Sequence, residues 1–374
     1  MTAYSISTVV TDALANLRIK DAADQIARNS AVSNISETEP SFVFDSVQDT
    51  KFTQQQSDVF SDTLFVFTQQ WVGIRQACGA FPVSKLAIDG YYKWSTHDLI
   101  HLAEEIDRRK IKRLVAHGMA PSTKFLLTGL KRINPELNIM SVWHGTMAGW
   151  SFDHELRLFR DLVDLVESNI VSKIGFLRRG MGEVHTKGWK IALLNIPPRV
   201  SVSRLADAFS SRPIDCLFAS WNNQWKNMYT NLVGASNSRN VRSVYCYQTT
   251  EKSFIKKVSE HSHGSFDEHM ARLAIVDLCL NVSINDCQPM TELESLSVGT
   301  PSLRPNLDHD VPSFKEYDDL FTINEYLNAS AITDRIDALC LEKPSYLRQV
   351  IDTYKNELIR LSYERYSDFL LDPK

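Results

Sequence analysis

The chain has no closely spaced pair of cysteines. Cys78, Cys216, Cys246, Cys279, Cys287 and Cys340 lie far apart, and none stands with a histidine at zinc-ligand spacing. That excludes a zinc finger, a C-x-x-C dithiol and a disulfide framework, and leaves reduced, mostly buried thiols as the expectation. There is no uninterrupted apolar run of about 18 residues, and no basic start followed by an apolar stretch, so neither a membrane span nor a secretory leader is expected. The expected location is cytoplasmic, with membrane contact limited to the inner face. Charge of one sign is also scarce: 41 Lys and Arg stand against 45 Asp and Glu, a formal net charge of −4. No global field is available for a phosphate backbone, and composition counts against nucleic-acid binding.

What is present is ordinary globular material, 43% hydrophobic and 23% charged. At 374 residues the chain exceeds what one hydrophobic core usually spans, so two domains and a cleft are expected. Residues 1–61 differ from the rest. A possible helix from Thr8 to Arg28 precedes a Ser/Thr/Gln/Asp-rich stretch, which reads as an appendage or partner-docking arm. From Thr63 strand-like runs (TLFVFTQQW, KLAIDGYY, KRLVAHG, NIMSVWHG) alternate with helical ones (WVGIRQACGAF, STHDLIHLAEEIDRRK, PSTKFLLTGLKRI). This alternation predicts an α/β fold with a parallel, doubly wound sheet. Proline and serine cluster between Ile196 and Pro213, where the chain is expected to cross into a second half. There the series resumes over IDCLFAS, QWKNMYTNLVGAS, RSVYCYQ, EKSFIKKVSEH, VDLCLNVS, MTELESLSVG and PSLRP. The tail from Ile332 to Leu371 reads as helical throughout. The expected domains are therefore 62–200 and 201–350, two Rossmann-like halves facing a cleft, with 351–374 as a terminal helix.

In open parallel sheets, ligands bind beyond the carboxyl ends of the strands, at the topological switch point. That rule selects Thr68 to Gly73, His117-Gly118 and His144-Gly145 in the first half. In the second it selects Ser220 to Lys226, Gln248 to Thr250 and Asn285 to Thr291. In NDCQPMTELESLSVGTPSL, residues 285–303, Pro289 suits a first helical turn and Gly299 the position past the last. A helix beginning near Gln288 would aim free amides and its dipole at the cleft, an attraction for phosphate. Glu294 stands off the apolar stripe of Met290, Leu293 and Leu296, placed to accept hydrogen bonds from vicinal hydroxyls such as those of a ribose. Asp286 would sit at the strand end beside the reacting portion of the ligand. The plainer alternative makes Glu294 a solvated helix residue and Asp286 a helix cap.

Lys226 falls in the first turns of a predicted helix whose buried stripe is Trp225, Met228, Tyr229 and Leu232. It either reaches the cleft or is a solvated lysine. His144 ends a strand in SVWHGTMAGW, and Gly145 beside it would let substrate approach the backbone. An imidazole titrating near neutrality could take a hydroxyl proton. A capping role is the other option, and His117 in LVAHGMAPS repeats the geometry one strand earlier.

D-x7-E followed by SLSVGTPSL resembles the E-x7-E signature of nucleotide-sugar glycosyltransferases of the GT-B fold, with Asp where Glu is usual. Trp143 to Thr146, W-H-G-T, is similar to a stretch in teichoic-acid polymer transferases. The resemblance implies a terminal helix crossing back onto the first domain, an acceptor in that domain and a nucleotide-sugar donor in the second. It gives Glu294 the donor ribose, Asp286 the sugar, and Lys226 the diphosphate, where an Arg and Lys pair is frequent. Met290, Thr291 and Ser220 complete the donor side. His144, with Asp286 the catalytic candidate, attends the acceptor beside Gly73, His117 and Gly145. No metal and no cofactor beyond the donor is implied. The acidic pair suits retention of configuration and a histidine base suits inversion; sugar, base and oligomeric state stay open. A surface polysaccharide or lipid-linked glycan is the expected acceptor. The alternatives are a transferase acting on DNA bases and a non-catalytic subunit that binds through residues 1–61. Other features remain as bare matches: Asp308 to Asp310 satisfies D-x-D, RRKIKR (Arg108 to Arg113) and LRRG (Leu177 to Gly180) are basic runs, and His263 and Thr249 stand on loops.

Overall fold

The computed structural model describes residues 44–45, 59–184, 192–220, 224–247, 255–262, 264–307, 309 and 311–371. The possible helix from Thr8 to Arg28, Gln248 to Thr250, His263, Asp308 and Asp310 lie outside the described residues. The first sheet has strand order β1-β3-β2-β4-β5-β6. Its strands are β1 (Phe44–Asp45), β2 (Thr63–Thr68), β3 (Ser84–Ile88), β4 (Arg113–His117), β5 (Asn138–Trp143) and β6 (Ile174–Phe176). All pairs are parallel except β1 with β3. Helices α1 (Val72–Gly79), α2 (Thr96–Arg108), α3 (Pro121–Ile133) and α4 (Asp153–Glu167) make the crossovers. Strand β2, TLFVFT, is buried at every position, as a central strand covered on both faces must be. Helix α2 starts where its sequence says it should: Ser95 accepts from the Asp98 amide while the Asp98 carboxylate accepts from the Ser95 amide.

The second sheet, order β12-β11-β10-β7-β8-β9, is parallel throughout. Its strands are β7 (Ile214–Phe218), β8 (Val241–Cys246), β9 (Val258–Glu260), β10 (Leu278–Leu280), β11 (Ser302–Pro305) and β12 (Thr322–Ile323). Its helices are α5 (Met228–Asn237), α6 (Phe266–Ile275), α7 (Met290–Val298), α8 (Lys315–Phe321), α9 (Ala329–Leu339) and α10 (Pro344–Leu371). The details differ from expectation in four places. EKSFIKKVSEH ends in a strand, β9, and helix α6 follows it. The helix expected across Lys226 breaks at Asn227, whose φ of 55° is left-handed, so Gln224–Lys226 forms a separate 3-10 turn and Tyr229 is exposed. Helix α7 begins at Met290 with Pro289 as its cap residue. The tail is two helices, because Pro344 opens a new one.

Helix α10 joins the lobes. Leu347, Val350, Ile351, Tyr354 and Leu358 pack into the second core, whereas Tyr363, Tyr366, Phe369 and Leu370 pack into the first. All six cysteines are buried and none is in a disulfide, in keeping with the composition. Among the described residues, no helix is long and apolar enough to cross a membrane.

Candidate active site

In the first sheet the winding reverses between β2 and β4, and in the second between β7 and β10. The loops leaving those four strands and the neighbouring β5 face one another. They line one cavity of about 490 Å3, within the roughly 300–1,000 Å3 usual for small-molecule sites. The first lobe contributes Trp71 and Gly73 after β2, Gly118 and Met119 after β4, and His144, Gly145 and Thr146 after β5. The second contributes Trp225 and Lys226 after β7, and Asn285, Asp286 and Cys287 after β10.

Two glycines are dictated by rings beneath them. Gly118 has φ of 74°, and a Cβ there would stand 2.6 Å from the Trp71 ring. A Cβ on Gly145 would stand 2.8 Å from Nε1 of Trp143. Gly73 faces Met290 across the lobes, with ordinary contact distance to spare.

His144 Nε2 lies 3.0 Å from Nδ1 of His117, which is fully buried between Phe65 and the stacked ring of Tyr366 from α10. The two candidate histidines are therefore one unit, with His144 at the cavity wall and His117 behind it. Burial pushes the His144 imidazole down to about 3, and burial followed by repulsion from His144 pushes His117 well below its ordinary value. Both rings are neutral at pH 7, so His144 does not titrate near neutrality as its sequence context suggested. Desolvation has moved it.

Lys226 Nζ bonds Asp286 Oδ2 at 2.6 Å. Burial alone would lower the Lys226 pKa, but attraction and hydrogen bonding to Asp286 outweigh it and hold the ammonium above its ordinary value. The loop bearing Asp286 is clasped by the first lobe. Arg178 donates to the Asp286 carbonyl, Cys287 Sγ to the His144 carbonyl at 3.0 Å, and Asn285 to the Thr146 hydroxyl. Gln288 accepts from the Asn195 amide at 2.5 Å and donates to the Asn195 carbonyl at 3.3 Å. Burial, then the Asp286 charge, pushes the Cys287 thiol up to about 12, so it stays protonated. Within the RRKIKR run, Arg108 and Arg109 pair with Glu105, and Arg113 with Asp62.

The remaining candidates are placed apart from the cavity lining. Ser220 is buried and bonds Asn281 Oδ1 at 3.2 Å. Met290 packs on the second core, and Thr291 follows it on α7. Glu294, 8% exposed, bonds through Oε2 to Nε2 of His269 on α6 at 3.0 Å, and Nδ1 of His269 meets the Tyr247 hydroxyl at 2.8 Å. One further acid of the same helix was not singled out from sequence: Glu292, fully buried, takes a 2.9 Å bond from the buried Arg304. Glu155 and Phe152 in the cavity wall were also passed over, whereas Trp71 lies in the selected loop Thr68 to Gly73. An acid in a helix's first turn and aromatic residues near strand ends carry no distinctive spacing.

No protein-family model matches the chain, and no curated protein matches it. Solved structures do. The apo form of the lipopolysaccharide outer core galactosyltransferase WaaB superposes with a TM-score of 0.53 at 9% identity, over 83% of this chain and 100% of that one. The N-terminal domain of Candida albicans trehalose-6-phosphate phosphatase gives 0.52 at 11%, over 85% and 92%. Sucrose-phosphate synthase from Thermosynechococcus elongatus gives 0.51 at 8%, over 83% and 97%. The chain has the GT-B fold. At these identities the likeness is one of architecture: two Rossmann-like lobes, each built on a parallel sheet.

Proposed function

We propose that the protein is a glycosyltransferase that moves a sugar from a nucleotide-diphosphate donor on the second lobe to a hydroxyl of an acceptor on the first. The observation that carries this reading is the shared cavity, where His144 of one lobe and the Lys226–Asp286 pair of the other converge. In such a transfer the bond from the anomeric carbon to the diphosphate oxygen breaks, and one to the acceptor oxygen forms. The acceptor proton leaves, and negative charge grows on the diphosphate. Lys226 is the cation suited to that charge, released from Asp286 as phosphate takes its place. Neutral His144 can accept a hydrogen bond from the attacking hydroxyl, and an arriving diphosphate would raise its affinity for the proton. Glu294 would hold ribose hydroxyls, Asp286 the donor sugar. No metal enters this scheme. A surface polysaccharide or lipid-linked glycan is the acceptor in view.

The neighbours support the reading to the extent that a galactosyltransferase and a sucrose-phosphate synthase share the fold. A melting screen against UDP, GDP, CMP, ADP and dTDP tests it first, since a ligand that binds only the folded form raises Tm. The corresponding nucleotide sugars should then release nucleoside diphosphate in the presence of an acceptor. If no nucleotide shifts Tm and no nucleotide sugar turns over, the reading fails.

A further inference from the structure

The first-lobe side of the cavity has a wall of its own. Trp71, Ile74, Met119 and Phe152 line it, and Trp225 reaches across from the second lobe to meet Phe152 edge-on, with ring centroids 6.3 Å apart and an interplanar angle of 89°. Into this aromatic enclosure projects one acid, Glu155, from the first turn of α4. Its carboxylate has no hydrogen-bond or ion-pair partner among the described residues, unlike Asp286, which is satisfied by Lys226. Burial raises the pKa of Glu155, with the neighbouring His154 opposing.

We propose that this wall binds an uncharged sugar ring as acceptor, its C–H face against Trp71, Phe152 and Trp225 and its hydroxyls donating to Glu155. The inference rests on the transferase reading for the word acceptor, but not for the binding itself. The faces of aromatic rings are electron-rich and attract the slightly positive C–H groups of a pyranose, an interaction that anionic substituents do not improve. A half-buried carboxylate with open lone pairs gains from hydroxyl donors and repels phosphate. Glu155, Asp286 and Lys226 are the only Asp, Glu, Lys or Arg residues among the described residues lining the cavity, and the last two neutralise one another. A sugar phosphate would therefore meet Glu155, while Lys226, the one Lys or Arg among the described residues of the lining, is held by Asp286 and, during transfer, by the donor diphosphate. The free amides at the start of α4 do not reverse this, because Asp153 and Glu155 already occupy its first turn.

The test uses the full chain without nucleotide and reads tryptophan fluorescence, because Trp71, Trp143 and Trp225 all line the cavity. The probes are the methyl glycosides of glucose, galactose, mannose and N-acetylglucosamine, titrated beside glucose 6-phosphate. At least one neutral glycoside should give a saturable change, with glucose 6-phosphate at least tenfold weaker. Glu155→Gln should weaken the neutral ligand about tenfold, equivalent to about 1.4 kcal/mol, at an unchanged melting temperature. Glu155→Lys should bring glucose 6-phosphate in. The proposal is overturned if glucose 6-phosphate binds the native protein as well as the neutral glycosides, if no neutral glycoside binds, or if Glu155→Gln leaves affinity unchanged. Failure of the transferase reading looks different: neutral sugars bind here while no nucleotide does.

Discussion

Nδ1 of His117 lies 3.0 Å from Nε2 of His144, so a buried imidazole fixes the ring that faces the cavity. With both rings neutral, one nitrogen of the pair donates and the other accepts, and that choice sets what the far nitrogen of His144 offers a ligand. Asparagine places a polar atom where Nδ1 stands; phenylalanine does not. His117→Asn should hold turnover within about twofold, whereas His117→Phe should lower it about tenfold, the worth of one hydrogen bond. Histidine NMR of the two variants would show whether the His144 tautomer changes with turnover.

The same pair makes a stability prediction with a definite sign. Folding depresses both imidazoles from an ordinary value of 6.5, His144 to about 3, so the unfolded chain binds more protons in that interval. Stability is full above about pH 6.5 and is lost as pH falls toward about 3, by up to ~1.4 kcal/mol per pH unit for each group. His117→Asn should flatten the acid limb of a urea-midpoint curve by up to one proton. An unchanged limb would mean that His117 is not the group titrating.

The alternation of the two sheets could be read from sequence because parallel strands buried on both faces are continuous apolar runs, as TLFVFT is, and because Ser95 and Asp98 spell a capping box. What could not be read were partnerships set by tertiary geometry. Glu292 and Glu294 are two residues apart on one helix, yet one faces Arg304 and the C-terminal helix while the other faces α6. Nothing in TELES distinguishes them. The left-handed turn at Asn227 also has no signature beyond an asparagine, and it is this turn that separates Lys226 from α5 and lets it meet Asp286.

Arg304 is 1% exposed and bonds Glu292 at 2.9 Å and the Tyr354 hydroxyl at 2.8 Å; it also pairs with Asp318, joining β11, α7, α8 and α10. Burial raises the Glu292 pKa against the pull of Arg304, so the carboxylate depends on its cation. Arg304→Met leaves a buried charge uncompensated and should cost about 3–5 kcal/mol in denaturant unfolding. The double variant with Glu292→Gln should recover part of that loss. Additive losses would show that the two residues are not coupled.

Lys226 and Asp286 neutralise one another at 2.6 Å, on the side of the cleft assigned to the donor. Lys226→Met would remove the cation from a growing diphosphate charge and leave Asp286 to repel it. Turnover should fall by about 10²–10³, and Lys226→Arg should restore part of it. Because the Lys226 pKa is raised, its pairing contributes below the ordinary lysine value and is lost only as pH climbs through the higher folded value. If Lys226→Met kept native turnover, the donor phosphates would have to lie elsewhere.

Glu294 tests the donor assignment most directly, because its carboxylate is already engaged. Burial holds the Tyr247 hydroxyl near about 12, so it stays protonated and can donate to Nδ1 of His269, which leaves Nε2–H to donate to Glu294. That chain fixes one carboxylate oxygen and leaves the other to accept from a ribose hydroxyl. Whichever nucleoside diphosphate raises Tm should therefore bind the native protein about tenfold or more tightly than its 2′,3′-dideoxy counterpart, and Glu294→Ala should abolish that difference. His269→Gln, which keeps a donor near the position of Nε2, should preserve the preference better than His269→Ala. Equal binding of ribo and dideoxy forms by the native chain would place the pentose away from Glu294 and assign that residue to packing between α6 and α7 alone.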